Sequence, residues 1–224
     1  MISTHPQTTS ELLAKARALT SMSVGELARL WQVPIPADLH KSKGWMGQLL
    51  ELVLGTTSGN KPQPDFAELG IELKTIPITP LGRPLESTFI CSAPLTQTLG
   101  LTWRNSPVYQ KLKKILWVPI ITAPKTQILS ERTVGTAMLW EPSEEEEQLL
   151  QADWEELMEM ITLGQIAQIT AHHGTYLQLR PKAAHARALC KAIGEDGEPI
   201  STLPRGFYLR AQFTQQILQH DKRR

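Results

Sequence analysis

The chain has 224 residues, 41% of them hydrophobic and 20% charged, and its formal net charge is +1. This is an ordinary globular composition, long enough for one large domain or for two small lobes sharing a core. So small a charge excludes a protein whose overall basicity announces nucleic acid, so any DNA surface must come from local clustering.

No apolar run approaches a membrane span, and the polar stretch Ser3 to Ser10 does not resemble a signal peptide. Cys91 and Cys190 stand far apart, without metal-ligand spacing, and read as buried thiols in a reducing compartment. A cytoplasmic location is expected.

Residues 1–10 read as a loose arm. A helix opens at Ser10-Glu11, with Leu12, Leu13, Ala16 and Leu19 on one face. A second is N-capped by Ser23, carries Leu27, Leu30 and Trp31, and ends before Pro34 and Pro36. Trp45, Leu49, Leu50, Val53 and Leu54 form the stripe of a third, with Gly55 as its C-terminal stop. Glu51 lies off the centre of that stripe. It is either a solvated helix residue or a carboxylate aimed at a site formed by the Asp65 segment.

That segment comes after a polar loop and reads Pro64-Asp65-Phe66-Ala67-Glu68-Leu69-Gly70-Ile71-Glu72-Leu73-Lys74. Leu69, Ile71 and Leu73 alternate with Gly70, Glu72 and Lys74, the pattern of a half-buried strand continuing to Ile78. A bend or bulge at Gly70 would return Asp65 to the side of Glu72. Neighbouring carboxylates repel unless a cation lies between them, and hard oxygen ligands suit Mg²⁺. A lysine beside them can hold or deprotonate a water, which is the equipment of metal-assisted phosphodiester hydrolysis. The plain alternative is a solvated strand face with a weak ion pair.

Ser87 to Cys91 reads as a strand antiparallel to the first. Phe89 within it is a core residue or a wedge against a base. A short helix starts at Ser106-Pro107 and leads into Lys111, Lys113 and Lys114, with Arg104 ahead, as a local basic patch or solvated helix-end charge. Ile115 to Ile121 is nearly all apolar, as a central strand would be, although Pro119 argues for a bulge or an edge. Thr133 to Trp140 reads as a further strand. Ser143 and Glu146 form a capping box on a long helix whose acidic first turn suits the helix dipole.

His172-His173 lacks a flanking Cys or carboxylate and is not expected to bind metal. Tyr176 to Arg180 alternates as a strand, and Arg180 at its end is suited to read guanine O6 and N7. Gly194 to Pro199 is a turn. Phe207 to Arg210 is a short strand, with Phe207 and Leu209 inward and Tyr208 and Arg210 outward. Ala211 to His220 is the last helix.

Four stretches together resemble one family. They are Lys43-Gly44-Trp45-Met46-Gly47-Gln48-Leu49-Leu50-Glu51, Pro64-Asp65-Phe66 through Glu72-Leu73-Lys74-Thr75, Thr175 to Pro181, and Gly206-Phe207-Tyr208-Leu209-Arg210. In this order they are similar to the MutH family of methyl-directed mismatch-repair endonucleases, over nearly the whole chain. The resemblance implies a restriction-endonuclease-like α/β fold, a mixed sheet flanked by helices in two arms around a DNA cleft. It implies Mg²⁺-dependent nicking of the unmethylated strand, 5′ to the G of hemimethylated GATC. It also implies double-stranded DNA as substrate, activation by MutL with MutS upstream, and action as a monomer.

By motif match, Asp65 and Glu72 become metal ligands, Lys74 the catalytic lysine and Glu51 an accessory carboxylate. Arg180 and Pro181 match the base-reading loop, Tyr208 the sensor of adenine methylation, and Phe89 a residue contacting the site. Lys43 and Lys111 match backbone contacts, with neighbouring lysines as the alternatives. Two other functions compete. One is a type II restriction endonuclease cutting both strands of GATC. The other is a non-catalytic DNA-binding adaptor, against which the intact Asp65, Glu72 and Lys74 argue.

Overall fold

Three capped helices open the chain: α1 (Thr9–Arg17), α2 (Val24–Leu30) and α3 (Trp45–Leu54). Thr8 accepts the Glu11 amide at the start of α1, and Ser23 and Glu26 form a full capping box on α2. Gly55 ends α3 in the left-handed region, at φ 80°. Three further helices are α4 (Pro107–Leu112), α5 (Glu144–Thr162) and α6 (Ala211–His220). The strands are β1 (Glu72–Ile78), β2 (Thr88–Ser92), β3 (Ile115–Ile121), β4 (Thr133–Val134) and β5 (Met138–Trp140), then β6 (Leu177–Pro181), β7 (Cys190–Ile193), β8 (Pro199–Thr202) and β9 (Arg205–Leu209). The structure, a computed structural model, describes residues 5–37, 42, 44–56, 63–123, 128–183, 185 and 187–220.

The chain divides into two units. The first is the described part of Met1–Glu86, Lys113–Glu141 and Gln215–Arg224; the second is Ser87–Leu112 and Pro142–Thr214. In the first, β3 is the centre of a mixed sheet. It runs parallel to β1, with Glu72 opposite Ile115 and Lys74 opposite Trp117, and antiparallel to β4 and β5 on its other edge. Leu73, Leu116, Val118 and Ile120 belong to the core that α1, α2 and α3 complete with Leu12, Leu27, Leu50 and Leu54. Strand alternation turns Leu73 towards those helices, so Glu72 and Lys74 occupy the opposite face of the sheet.

Pro119 lies inside this central strand, not at an edge. Its missing N–H is accommodated because β4 pairs only with Ile120 and Ile121, and β5 only with Ile115 to Trp117. The expected strand from Thr133 to Trp140 is accordingly two strands. Gly135 between them donates to the Pro119 carbonyl at 2.7 Å, and a Cβ on Gly135 would lie 3.2 Å from that oxygen.

The second unit is built on β9, which pairs antiparallel with β2 on one side and β6 on the other. Thus β2 does not pair with β1, as the sequence suggests; its partner comes more than a hundred residues later. The long helix α5 packs on β6 through its buried stripe Leu150, Trp154, Leu157, Met158 and Ile161. The turn at Gly194 to Pro199 is present, and β7 and β8, not anticipated from the sequence, pair across it as a hairpin. Residues 5–10 are not a loose arm. Pro6 is buried, His5 Nδ1 lies 2.9 Å from the Gly55 carbonyl oxygen, and α1 already begins at Thr9.

The architecture is therefore mixed α/β, with a mixed sheet in the first unit and an antiparallel sheet in the second, flanked by helices. Among the described residues, no helix is long and apolar enough to cross a membrane.

Candidate functional site

The segment before β1 turns back on itself. Phe66 and Ile71 exchange backbone hydrogen bonds at 2.9 and 3.2 Å around a single 3-10 turn, Ala67–Leu69. Gly70 closes that turn in the left-handed conformation, at φ 64°. Leu69 and Gly70 are therefore outside the strand expected of them: their place in the alternating pattern is coincidence, because a left-handed residue interrupts extended chain. The bend itself lies where the sequence suggests. It carries Asp65 back to β1, where its Oδ2 accepts the Leu73 N–H at 2.8 Å. The Asp65 carboxylate is thereby fixed at the backbone of the residue between Glu72 and Lys74.

Glu72 is 2% exposed, and Lys74 donates to its Oε1 at 2.5 Å. A buried carboxylate is costly unless a counter-charge and hydrogen bonds compensate it. This is not the solvated strand face of the plain alternative. A charge pair held under cover on a sheet face, with a second carboxylate tethered alongside, is a concentration of charge typical of functional sites.

Glu51 is half-buried on α3, which packs against β1. Among the described residues, no three His, Cys, Asp or Glu side chains stand together as a metal-binding group. Asp65 and Glu72 are the two acids fixed at β1. The two acids on their own still fit magnesium, which binds through one or two carboxylates and keeps waters and substrate oxygens for its other positions.

The base-reading candidates share the sheet of the second unit. Phe89 on β2 stands opposite Tyr208 on β9, and their rings meet edge to face at 5.3 Å and 62°. Gly206 makes room for this pair: a Cβ there would lie 2.8 Å from Phe89 Cε2 and 3.2 Å from Tyr208 Cε2. Arg180 is exposed at the end of β6. It donates to Ser87 Oγ at 2.7 Å and lies over the Tyr208 ring at 5.7 Å. Pro181, also exposed, ends the strand beside it. Phe207 and Leu209 are fully buried and Tyr208 is half-buried, as alternation predicts. Arg210, by contrast, falls after β9, and its guanidinium is bound to loop carbonyls.

The remaining candidates stand at other points of the chain. Lys43 lies outside the described residues. Lys111 is half-buried in the last turn of α4, while Lys114 pairs with Glu141 at 2.9 Å and Lys113 lies with its Cε 3.8 Å from a Cβ position on Gly70. Arg104 pairs with Glu147 at 2.8 Å and donates to the Tyr109 hydroxyl at 2.6 Å. His173 Nδ1 accepts the Thr170 amide in the loop before β6. Two groups escaped sequence reasoning. Lys182 Nζ lies 3.0 Å from the centre of the Phe89 ring, joining the aromatic pair. Asp153 is a buried carboxylate on the apolar stripe of α5, and its position among leucines was the available signal.

The sequence profile described as "DNA mismatch repair enzyme MutH" matches residues 54–153. Curated proteins named "DNA mismatch repair protein MutH" from Salmonella paratyphi B, Salmonella newport and Salmonella typhimurium are each 57% identical to this chain over 215 residues. The alignments cover 96% of this chain and 93% of each relative.

Proposed function

The chain belongs to the MutH family of DNA mismatch repair enzymes, and from that premise we propose that it is a magnesium-dependent endonuclease that nicks the unmethylated strand 5′ to the G of hemimethylated GATC. The observation that carries the reading is the covered Glu72–Lys74 pair on β1, with Asp65 folded back onto the same strand.

Each residue has a distinct task. Asp65 and Glu72 offer hard oxygens for a divalent cation, and the Leu73 amide fixes the direction of the Asp65 carboxylate. When bound, that cation would polarise the scissile phosphate and acidify a water. Lys74 neutralises buried Glu72, and its ammonium orients the attacking water and balances charge developing on the phosphate. Glu51 serves as an accessory carboxylate from α3. Arg180 reads a guanine edge, Pro181 shapes the strand end, and Tyr208 and Phe89 contact the adenine whose N6 carries or lacks the methyl group. Lys43 and Lys111 bind the DNA backbone. The enzyme works as a monomer, and MutL, acting downstream of MutS, switches it on.

The test is conversion of covalently closed plasmid to the open circle. With Mg²⁺ and MutL, an unmethylated GATC plasmid is expected to be nicked, whereas one without GATC stays closed. Equal nicking of both plasmids contradicts the specificity. Linear product from the first cleavage events supports the restriction-enzyme alternative, and tight GATC binding without cleavage supports the adaptor.

A further inference from the structure

Asp153 occupies a place where the pattern of α5 calls for an apolar side chain. It lies three residues after Leu150 and four before Leu157, and only 6% of it is exposed. Three successive backbone N–H groups converge on its carboxylate. Thr175 donates to Oδ1 at 2.6 Å, and Tyr176 and Leu177 donate to Oδ2 at 2.6 and 2.8 Å. Gly174 permits this turn: its φ is +73°, and a Cβ there would run into the Leu177 carbonyl oxygen.

The same loop is gripped through its carbonyls. The Arg210 guanidinium donates to Ala171 at 2.7 Å and to His173 and Gly174 at 2.9 Å each, and the Arg210 amide donates to Tyr176 O at 2.9 Å. The Tyr176 ring stacks on Phe213 at 3.8 Å, nearly parallel at 9°. The loop thus turns its N–H groups to an anion and its carbonyls to a cation. Charge-assisted hydrogen bonds of this kind are stronger than neutral ones.

The location gives the clamp its meaning. The loop runs straight into β6, which bears Arg180, and Arg210 directly follows β9, which bears Tyr208. Leu177 stands opposite Leu209 at the clamped end, and five paired positions carry that register along to Arg180 opposite Gly206 and Pro181 opposite Arg205. A one-residue slip would turn every side chain of β6 to the other face of the sheet. We infer that Asp153 and Arg210 are positioning residues for base readout, holding β6 against β9 so that Arg180 stands over Tyr208. The inference rests on the reading of β6 and β9 given under the proposed function.

The experiment measures affinity for a GATC duplex and for a scrambled duplex, with calcium replacing magnesium so that no cleavage occurs. The variants are Asp153→Asn, which turns one acceptor oxygen into a donor facing N–H groups, and Arg210→Lys, which keeps the charge but loses the fork. Each is expected to lower the preference for GATC by about tenfold, the scale of one lost base contact, with scrambled-duplex affinity unchanged. In an Arg180→Ala background neither is expected to lower the preference further, because both act through Arg180. Hydrogen exchange at the 175–177 amides is expected to speed up in Asp153→Asn. If that variant fails to fold, Arg210→Lys at the half-buried end of the clamp carries the test. An unchanged preference, an equal loss on both duplexes, or a full additional loss in the Arg180→Ala background overturns the inference. An unsubstituted chain with no GATC preference overturns the underlying reading, and the inference with it.

Discussion

Lys74 has two jobs that one substitution separates. It neutralises a carboxylate that is 2% exposed, and on the proposed reading it orients the attacking water. Lys74→Ala therefore removes the counter-charge held against a covered carboxylate, and breaking such a pair costs about 3–5 kcal/mol, with the low end expected because Lys74 retains some solvent. Thermal unfolding should show the loss. Glu72→Gln keeps the shape, removes the charge and should unfold nearer the parent temperature, while nicking drops by about 10²–10³ in both variants. Near-normal nicking in either removes the catalytic assignment. For Arg180→Ala, affinity for GATC should weaken by about 1–3 kcal/mol, as for a bidentate guanine contact. An equal loss on unrelated duplexes would mark Arg180 as a phosphate contact. At this scale the sequence was legible where neighbouring side chains act on one another, as in the Glu72–Lys74 pair. It was illegible where a side chain meets backbone distant in sequence: nothing in the residues around Asp153 shows that three amides donate to it.

Among the elements, the turn at Gly70 decides where Asp65 points. A Cβ on Gly70 would make only ordinary contact with Lys113 Cε at 3.8 Å, so the cost of an alanine there lies in conformation and not in space. Gly70→Ala should cost about 1–2 kcal/mol for the left-handed conformation and reduce nicking by displacing Asp65. Gly70→Asn, which tolerates that region, should recover part of both. If stability and nicking are unaffected by alanine, the turn does not set the site. Gly206→Ala acts through space, since its Cβ would meet Phe89 Cε2 at 2.8 Å. The expected result is a changed ratio of nicking rates on unmethylated and methylated duplexes, and an unchanged ratio would separate the Phe89–Tyr208 pair from methyl sensing. Helix starts were legible because a capping box is local chemistry, as at Ser23 and Ser143. The start of β1 was misplaced because period-two alternation over Leu69, Ile71 and Leu73 does not reveal a left-handed glycine within it.

For the whole molecule, pairing was the unreadable part. Nothing local marks β3 as the parallel neighbour of β1, or β9 as the partner of β2; these contacts join segments far apart in sequence, and turn chemistry sets only neighbouring strands. The charge, by contrast, was informative. With a net charge of +1, DNA affinity must rest on a few local cations. Lys111→Ala should weaken binding uniformly across sequences and reduce the slope of log affinity against log salt by about 1. An unchanged slope would take Lys111 out of the interface. That this chain cuts one chosen strand at one chosen bond can be checked on a hemimethylated GATC duplex with each strand labelled separately, in the presence of Mg²⁺ and MutL. The expected outcome is a single product from the unmethylated strand, cut 5′ to the G, and no product when Asp65→Ala replaces the parent chain. Cleavage of both strands, cleavage elsewhere in the duplex, or the same product from Asp65→Ala would contradict it.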